Sequence, residues 1–200
     1  MSSEINKVLE FWFGDKNDEK QLIKLQSKLW WGKNVDFDNT IINEFSSLHK
    51  SAVDNKFGDW LLNAKGQLAL IILFDQFSRV IHRHTKLAFS FDSNALNIAL
   101  DGVSKSIDKS LRPIERVFYY MPLEHSEDLE IQNHCVALFQ QLLYEVPEEL
   151  KKEFENYLNF ARKHQAIIER FNRFPHRNKV LNRFSSAEEI AFLAEPGSSF

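Results

Sequence analysis

The stretch AKGQLALIILFDQFSRVIH, residues 64–82, decides the fold class. Read at helical spacing, Leu68, Ile72, Asp75 and Arg79 fall on one face, and the other positions are so apolar that the helix must be surrounded on several sides. A central helix is expected from about Ala64 to His82. A carboxylate and a guanidinium then lie one turn apart on an inward stripe. Buried charges persist only when paired and hydrogen-bonded, so this pair either pins neighbouring helices or clamps a ligand.

Helical spacing continues on both sides. Ile5, Val8, Leu9 and Trp12 follow it after Ser3, with Gly14 placed to end the turn. Leu22, Leu25 and Leu29 carry a second helix to Trp30, with Gly32 behind, and Ile41, Ile42, Phe45 and Leu48 a third, expected to start after Asp38 or Asn39. Downstream, Asp92 or Ser93 can cap a fifth. Pro113 suits the first turn of a sixth, expected to run to Met121 and to stop at Pro122. Ser126 is positioned to cap a seventh whose first turn carries Glu127, Asp128 and Glu130. Pro147 opens a long eighth from Glu148 to about Phe174, ended by Pro175. Ser186-Ala-Glu-Glu189 has the spacing of a capping box before a short last helix. No alternating strand of useful length competes, so the expectation is one all-α domain over residues 1–200. No 34-residue self-similarity accompanies it, so any repeat is structural only.

Composition bounds the function. The 200 residues are 44% hydrophobic, enough for one sizeable core, and the formal charge of −3 argues against a surface built to grip nucleic acid. Cys135 is the one cysteine, among apolar neighbours where it suits a core, and a reducing cytoplasm is expected. Glu4 and Glu10 interrupt the run a signal peptide would need, and no window approaches a membrane span, so no membrane partner is expected. No dinucleotide, phosphate-loop, zinc-protease or nucleophile-elbow motif occurs, and no cofactor is implied. His82 and His84 offer two imidazoles without a carboxylate or cysteine at matching spacing, a weak metal signal.

The charge is distributed unevenly. Residues 162–183 hold seven Arg or Lys against Glu169 alone, whereas residues 115–155 hold ten acids against three bases. The basic part includes RFNRFPHRN (170–178), in which three arginines and a histidine surround two phenylalanines and a proline. One reading is that the basic segment docks on the acidic one. The other is that Arg forks and imidazoles converge on a carboxylate or phosphate, for which guanidinium geometry is better suited than ammonium. Arg116 shares a helix face with Arg112 and Tyr119. His125 is expected beside a helix N-terminus, where free N–H groups favour an anion, although the cap alone explains Ser126. His164 lies on an apolar face with Tyr157, Ala161, Ile168 and Phe171, the usual place of a satisfied core histidine. Arg170 and Arg173 follow on the last turns of that helix, and His176 and Arg177 lie past Pro175, where they can turn back over its end.

The runs FDQFSRVIHRHTKLAFSFD, ERVFYYMPLEHSEDLEIQ, HQAIIERFNRFPHRN and SSAEEIAFL, with VLEFWFGD and the Trp30-Trp31 pair, resemble in order and spacing the bacterial domain of unknown function 924 family over nearly the whole chain. The resemblance implies an all-helical, tetratricopeptide-like right-handed superhelix of about nine helices and no assigned activity. Ser78, Val80 and His84 depart from the family pattern of Pro, Asn and Gly, and Asn172 replaces a Gly.

The expectation is a groove lined by Asp75, Arg79, Arg116, His125, His164, Arg173, His176 and Arg177 that binds an acidic small molecule or peptide terminus. Two alternatives stand beside it: a small-molecule hydrolase or transferase using His125 or His176 as acid or base, and a scaffold that holds a protein partner through exposed Trp12, Trp30 and Trp31.

Overall fold

The structure, a computed structural model, describes residues 3–32 and 34–198, and within these every regular element is helical. Helix α1 (Ser3–Phe13) buries Ile5, Val8, Leu9, Trp12 and Phe13. It stops at Gly14, whose N–H donates to the Glu10 carbonyl at 2.7 Å and whose φ of +71° suits a residue without a Cβ. Ser3 is the first helical residue; the position before it lies outside the described residues. Helix α2 (Glu19–Trp31) is capped by Asp18 and α3 (Val35–Val53) by Asn34. Asp38 and Asn39, the expected caps of α3, are thus inside the helix. The Asn34 side-chain oxygen accepts from both Asp36 N and Phe37 N, and this fixes the start one turn earlier.

The apolar run forms α4 (Ala64–Ile71), a π-helical turn (Ile72–Phe77) and α5 (Ser78–Ile81) in unbroken succession. Every residue from Leu68 to Asp75 is buried, as its composition requires. Entry is set by a 3-10 turn (Gly58–Leu62) that inserts Trp60 beneath the helix. The backbones meet closely there: a Cβ on Gly66 would stand 2.1 Å from the Trp60 carbonyl oxygen. Because backbone cannot step aside as a side chain can, Gly66→Ala is expected to cost about 1–3 kcal/mol, seen in urea unfolding as a lower midpoint with an unchanged slope.

Beyond a 3-10 turn (Lys86–Phe89) come α6 (Asp92–Ser104), α7 (Pro113–Glu124), α8 (Leu129–Glu145), α9 (Lys151–Phe171), a 3-10 turn (Pro175–Arg177), α10 (Asn178–Leu181) and α11 (Ala187–Leu193). Several boundaries differ from the sequence expectation. Helix α6 has Phe91 at its cap position and Asp92 as its first residue, so neither Asp92 nor Ser93 caps it, and α9 begins at Lys151 after a 3-10 turn (Glu148–Leu150). Helix α7 continues through Pro122 to Glu124, since the proline sits in its last turn, where only one backbone bond is lost. Asp128, not Ser126, caps α8, accepting from Ile131 N at 3.0 Å; the Ser126 hydroxyl accepts from Asp128 N inside the turn. His125 therefore closes the C-terminus of α7 instead of preceding a helix N-terminus. Helix α9 ends at Phe171 because Asn172 turns left-handed (φ 55°). His84 does the same (φ 65°), so both positions take a glycine-like backbone in residues that tolerate it. The capping box at Ser186 forms as spelled, with Glu189 N donating to Ser186 Oγ and Ser186 N to Glu189 Oε2.

Helices α4, α6 and α7 pack on one another, and α7, α8 and α9 follow in series. Phe118 on α7 is the aromatic centre, with ring centroids 5.5 Å from Trp12, 5.5 Å from Phe13, 4.8 Å from Trp30 and 5.9 Å from Trp31. Trp12 and Trp30 are buried, and Trp30 Nε1 donates to the Trp12 carbonyl. Trp31 alone of the three candidate contact tryptophans is exposed, at 51%. Cys135 is fully buried. No described helix is long and apolar enough to cross a membrane.

Candidate functional site

The π turn has a direct consequence for side chains. A wider turn in the middle of a buried helix sets Asp75, fully buried, against the last turn of α7. There Asp75 Oδ1 meets His125 Nδ1 at 2.6 Å. The other oxygen, Oδ2, accepts from Gln76 Nε2 at 2.6 Å, and Arg79 Nη2 reaches Oδ1 at 3.5 Å. Burial alone would raise the Asp75 pKa, but the His125 contact, the Arg79 charge and the Gln76 amide together hold it below the usual carboxylate range.

Arg79 then turns to the start of α6. Its Nη2 lies 2.9 Å from Asp92 Oδ1, and its Nη1 donates to the Ala88 carbonyl at 2.8 Å. Arg177, arriving from the turn after α9, binds the other oxygen of Asp92, with Nη1 3.2 Å from Oδ2. Both guanidinium groups also rest on the Phe89 ring, at 4.6 Å and 4.8 Å from its centroid, and Arg177 covers Phe174 at 4.7 Å. Two like charges share one carboxylate here. Burial and then the neighbouring Arg79 push the Arg177 guanidinium down to about 10.

In front of this cluster opens a cavity of about 500 Å³, whose wall includes Phe89, Asp92, Pro122, His125, Glu127 and Arg177. Arg177 is only 7% exposed, and its Nε has no hydrogen-bond partner among the described residues. Behind His125 lies a second buried pair. His164 Nδ1 donates to the Phe160 carbonyl at 2.9 Å and lies 3.0 Å from Glu124 Oε1. Burial, reinforced by the Asp75 charge, pushes the Glu124 carboxyl up to about 8, while burial and then His125 push His164 down to about 3. The pair is therefore a protonated acid beside a neutral imidazole. The rings of His125 and His164 are 6.2 Å apart.

Of the eight residues proposed from the sequence, His125 and Arg177 line the cavity; Asp75 and Arg79 stand behind that wall, Asp75 against His125 and Arg79 against Asp92, and His164 lies behind His125. His176 packs its ring on Phe174 at 5.6 Å, and burial and then the Arg177 charge lower its pKa to about 4. Arg116 and Arg173 lie elsewhere. Arg116 is held by Glu145, by the Tyr120 hydroxyl at 3.0 Å and by Asp108 at 3.7 Å. Arg173 makes two bonds to Glu189, at 2.6 Å and 2.8 Å, and fastens α11. Sequence reasoning misses Asp92, Phe89 and Glu124 as site residues. At helical spacing Asp92 reads only as a cap; the available signal is its place after LAF in a run that also contains Asp75 and Arg79. The docking of basic on acidic chain is partly realised, since Arg183 grips Glu127 through both nitrogens and Glu127 also accepts from Phe174 N.

A family model described as bacterial protein of unknown function (DUF924) matches residues 8–197. A solved structure of a protein of unknown function from Agrobacterium tumefaciens superposes with a TM-score of 0.80 at 31% identity, covering 95% of this chain and 96% of that one. No curated protein matches the chain. With nearly its full length inside the family's bounds and a solved relative of the same fold, the chain belongs to the bacterial DUF924 family.

Proposed function

We propose that the chain binds an acidic small molecule or a peptide's terminal carboxylate in the cavity between the Lys86–Phe89 turn, the start of α6, the end of α7 and the turn after α9. The observation that carries this reading is Arg177, a buried guanidinium on the cavity wall that holds an unpartnered Nε while a second arginine competes for its one acid. Because Asp92 is shared by two guanidinium groups, a carboxylate in the cavity supplies a second counter-charge beside Arg177. Asp92 and Glu127 line the same wall, which favours a carboxylate group, with one charge at the point of contact, over a phosphate group with two. The finer architecture, a tetratricopeptide-like right-handed superhelix, belongs to this proposal too; its support is that α6, α7, α8 and α9 each pack on the next.

Thermal unfolding tests the reading. At a hundredfold excess over its dissociation constant, a carboxylate such as succinate stabilises by about 2.7 kcal/mol, which in a chain of this size raises Tm by roughly 5–10 °C. Arg177→Ala abolishes the rise, and Arg177→Lys, which keeps charge without the fork, retains a fraction of it. A flat response to succinate, acetylated amino acids and inorganic phosphate alike, in a folded wild type, rejects the proposal.

A further inference from the structure

His125 is more than a wall of the cavity. Its Nδ1 is committed to Asp75, a carboxylate with no exposure that Gln76 and Arg79 hold from its other sides. A carboxylate can only accept, so Nδ1 bears a hydrogen, and in the neutral ring the lone pair is on Nε2. Nε2 makes no hydrogen bond among the described residues, and His125 lines the same cavity as Arg177. A ring fixed in one tautomer by a buried acid, with its second nitrogen available to a ligand beside a guanidinium, is the arrangement of a general base.

We propose that His125, oriented by Asp75, is the acid and base of a hydrolytic reaction on a small ester or amide that bears a free carboxylate bound by Arg177, an inference that rests on the carboxylate-binding reading above. Nε2 takes a proton from water as the water oxygen bonds to the acyl carbon. The imidazolium so formed faces the Asp75 carboxylate. As the acyl C–O or C–N bond breaks, Nε2–H returns its proton to the leaving alkoxide or amine, and Nε2 is restored. Water is the co-reactant, and the products are a carboxylic acid and an alcohol or amine. His125 touches the reacting atoms and is catalytic; Asp75 acts through it and is a positioning residue.

The test uses the full chain and 4-nitrophenyl hydrogen succinate, an activated ester with one free carboxylate, so that a positioned base suffices for turnover. The expected result is release of 4-nitrophenolate above the buffer rate, reduced about 100-fold or more in His125→Ala, with succinate binding by the wild type measured in parallel by calorimetry. In Asp75→Asn the rate falls and the 15N shifts of the His125 ring no longer report a single Nδ1–H tautomer; a merely structural Asp75 would leave that signature unmoved. Wild type that binds succinate yet hydrolyses the ester no faster than His125→Ala overturns the catalytic inference alone. Absence of Arg177-dependent succinate binding overturns the reading beneath it.

Discussion

Phe118→Ala lowers the unfolding free energy by about 3–5 kcal/mol, a fall in Tm of roughly 6–20 °C for a chain of this length. Phe118 is 1% exposed, and its ring meets two tryptophans from α1 and α2, a third stacked at 14°, and Phe13. Such aromatic pairs contribute beyond the area they bury, and no single neighbour can collapse into the space of the whole ring. Phe184→Ala is the matched control. That ring is 96% exposed, and its removal stays within about 0.5 kcal/mol. Thermal melts of both variants, monitored by circular dichroism, check the contrast; equal melting temperatures would mean that the Phe118 cluster does not hold α1 and α2 on α7.

Stability rises and then falls with pH, with its maximum near pH 6.5, and Glu124→Gln removes the alkaline fall. Glu124 retains its proton to about pH 8 when folded, far above an ordinary carboxyl, because burial and then Asp75 oppose its charge. A raised folded pKa means that the associated stability is complete below the ordinary carboxyl range and is lost as pH climbs through 8. The buried histidines have the opposite sign. Burial lowers His49 to about 4, with His82 adding to it, and His164 and His176 are depressed to about 3 and about 4. Their contribution is complete above the ordinary imidazole value and is lost as pH falls. Between pH 6.5 and 8 the Glu124 proton governs the change and accounts for a loss on the order of 2 kcal/mol. Urea denaturation from pH 5 to 9 resolves the two limbs. Glu124→Gln should flatten the upper limb and keep the lower one; a variant that falls as steeply as the wild type above pH 6.5 would place the titrating group elsewhere.

The helices are legible where the signal is local. Apolar period, Gly14 and the Ser186 box need only residues a few positions apart, and each forms as the sequence implies. Helix starts are not legible where several side chains could cap. Asn34, Asp36, Asp38 and Asn39 stand close together, and only the geometry of Asn34 reaches two first-turn N–H groups. Asp128 outcompetes Ser126 in the same way. In the site, the Asp75–Arg79 proximity is a matter of helix register and can be read directly. The bond from Arg177 to Asp92 spans 85 residues and is encoded by no period. RFNRFPHRN resembles one basic patch because sequence adds charges that the fold separates. Arg170 goes to Glu188, Arg173 to Glu189 and Arg177 to Asp92, so the three arginines serve two distinct purposes.

The wide turn at Ile72–Phe77 makes chain length a determinant of chemistry here. Ser78 Oγ donates to the Leu73 carbonyl and meets His49 Nε2 at 2.7 Å, which ties the widened turn to α3. Excising one residue between 72 and 77 would let the segment relax to ordinary helical winding with nearly every side chain still present, yet the acid would rotate out from under its imidazole. A one-residue deletion in the greasiest, most rigid part of the molecule would thus separate the dyad more completely than most substitutions at its rim.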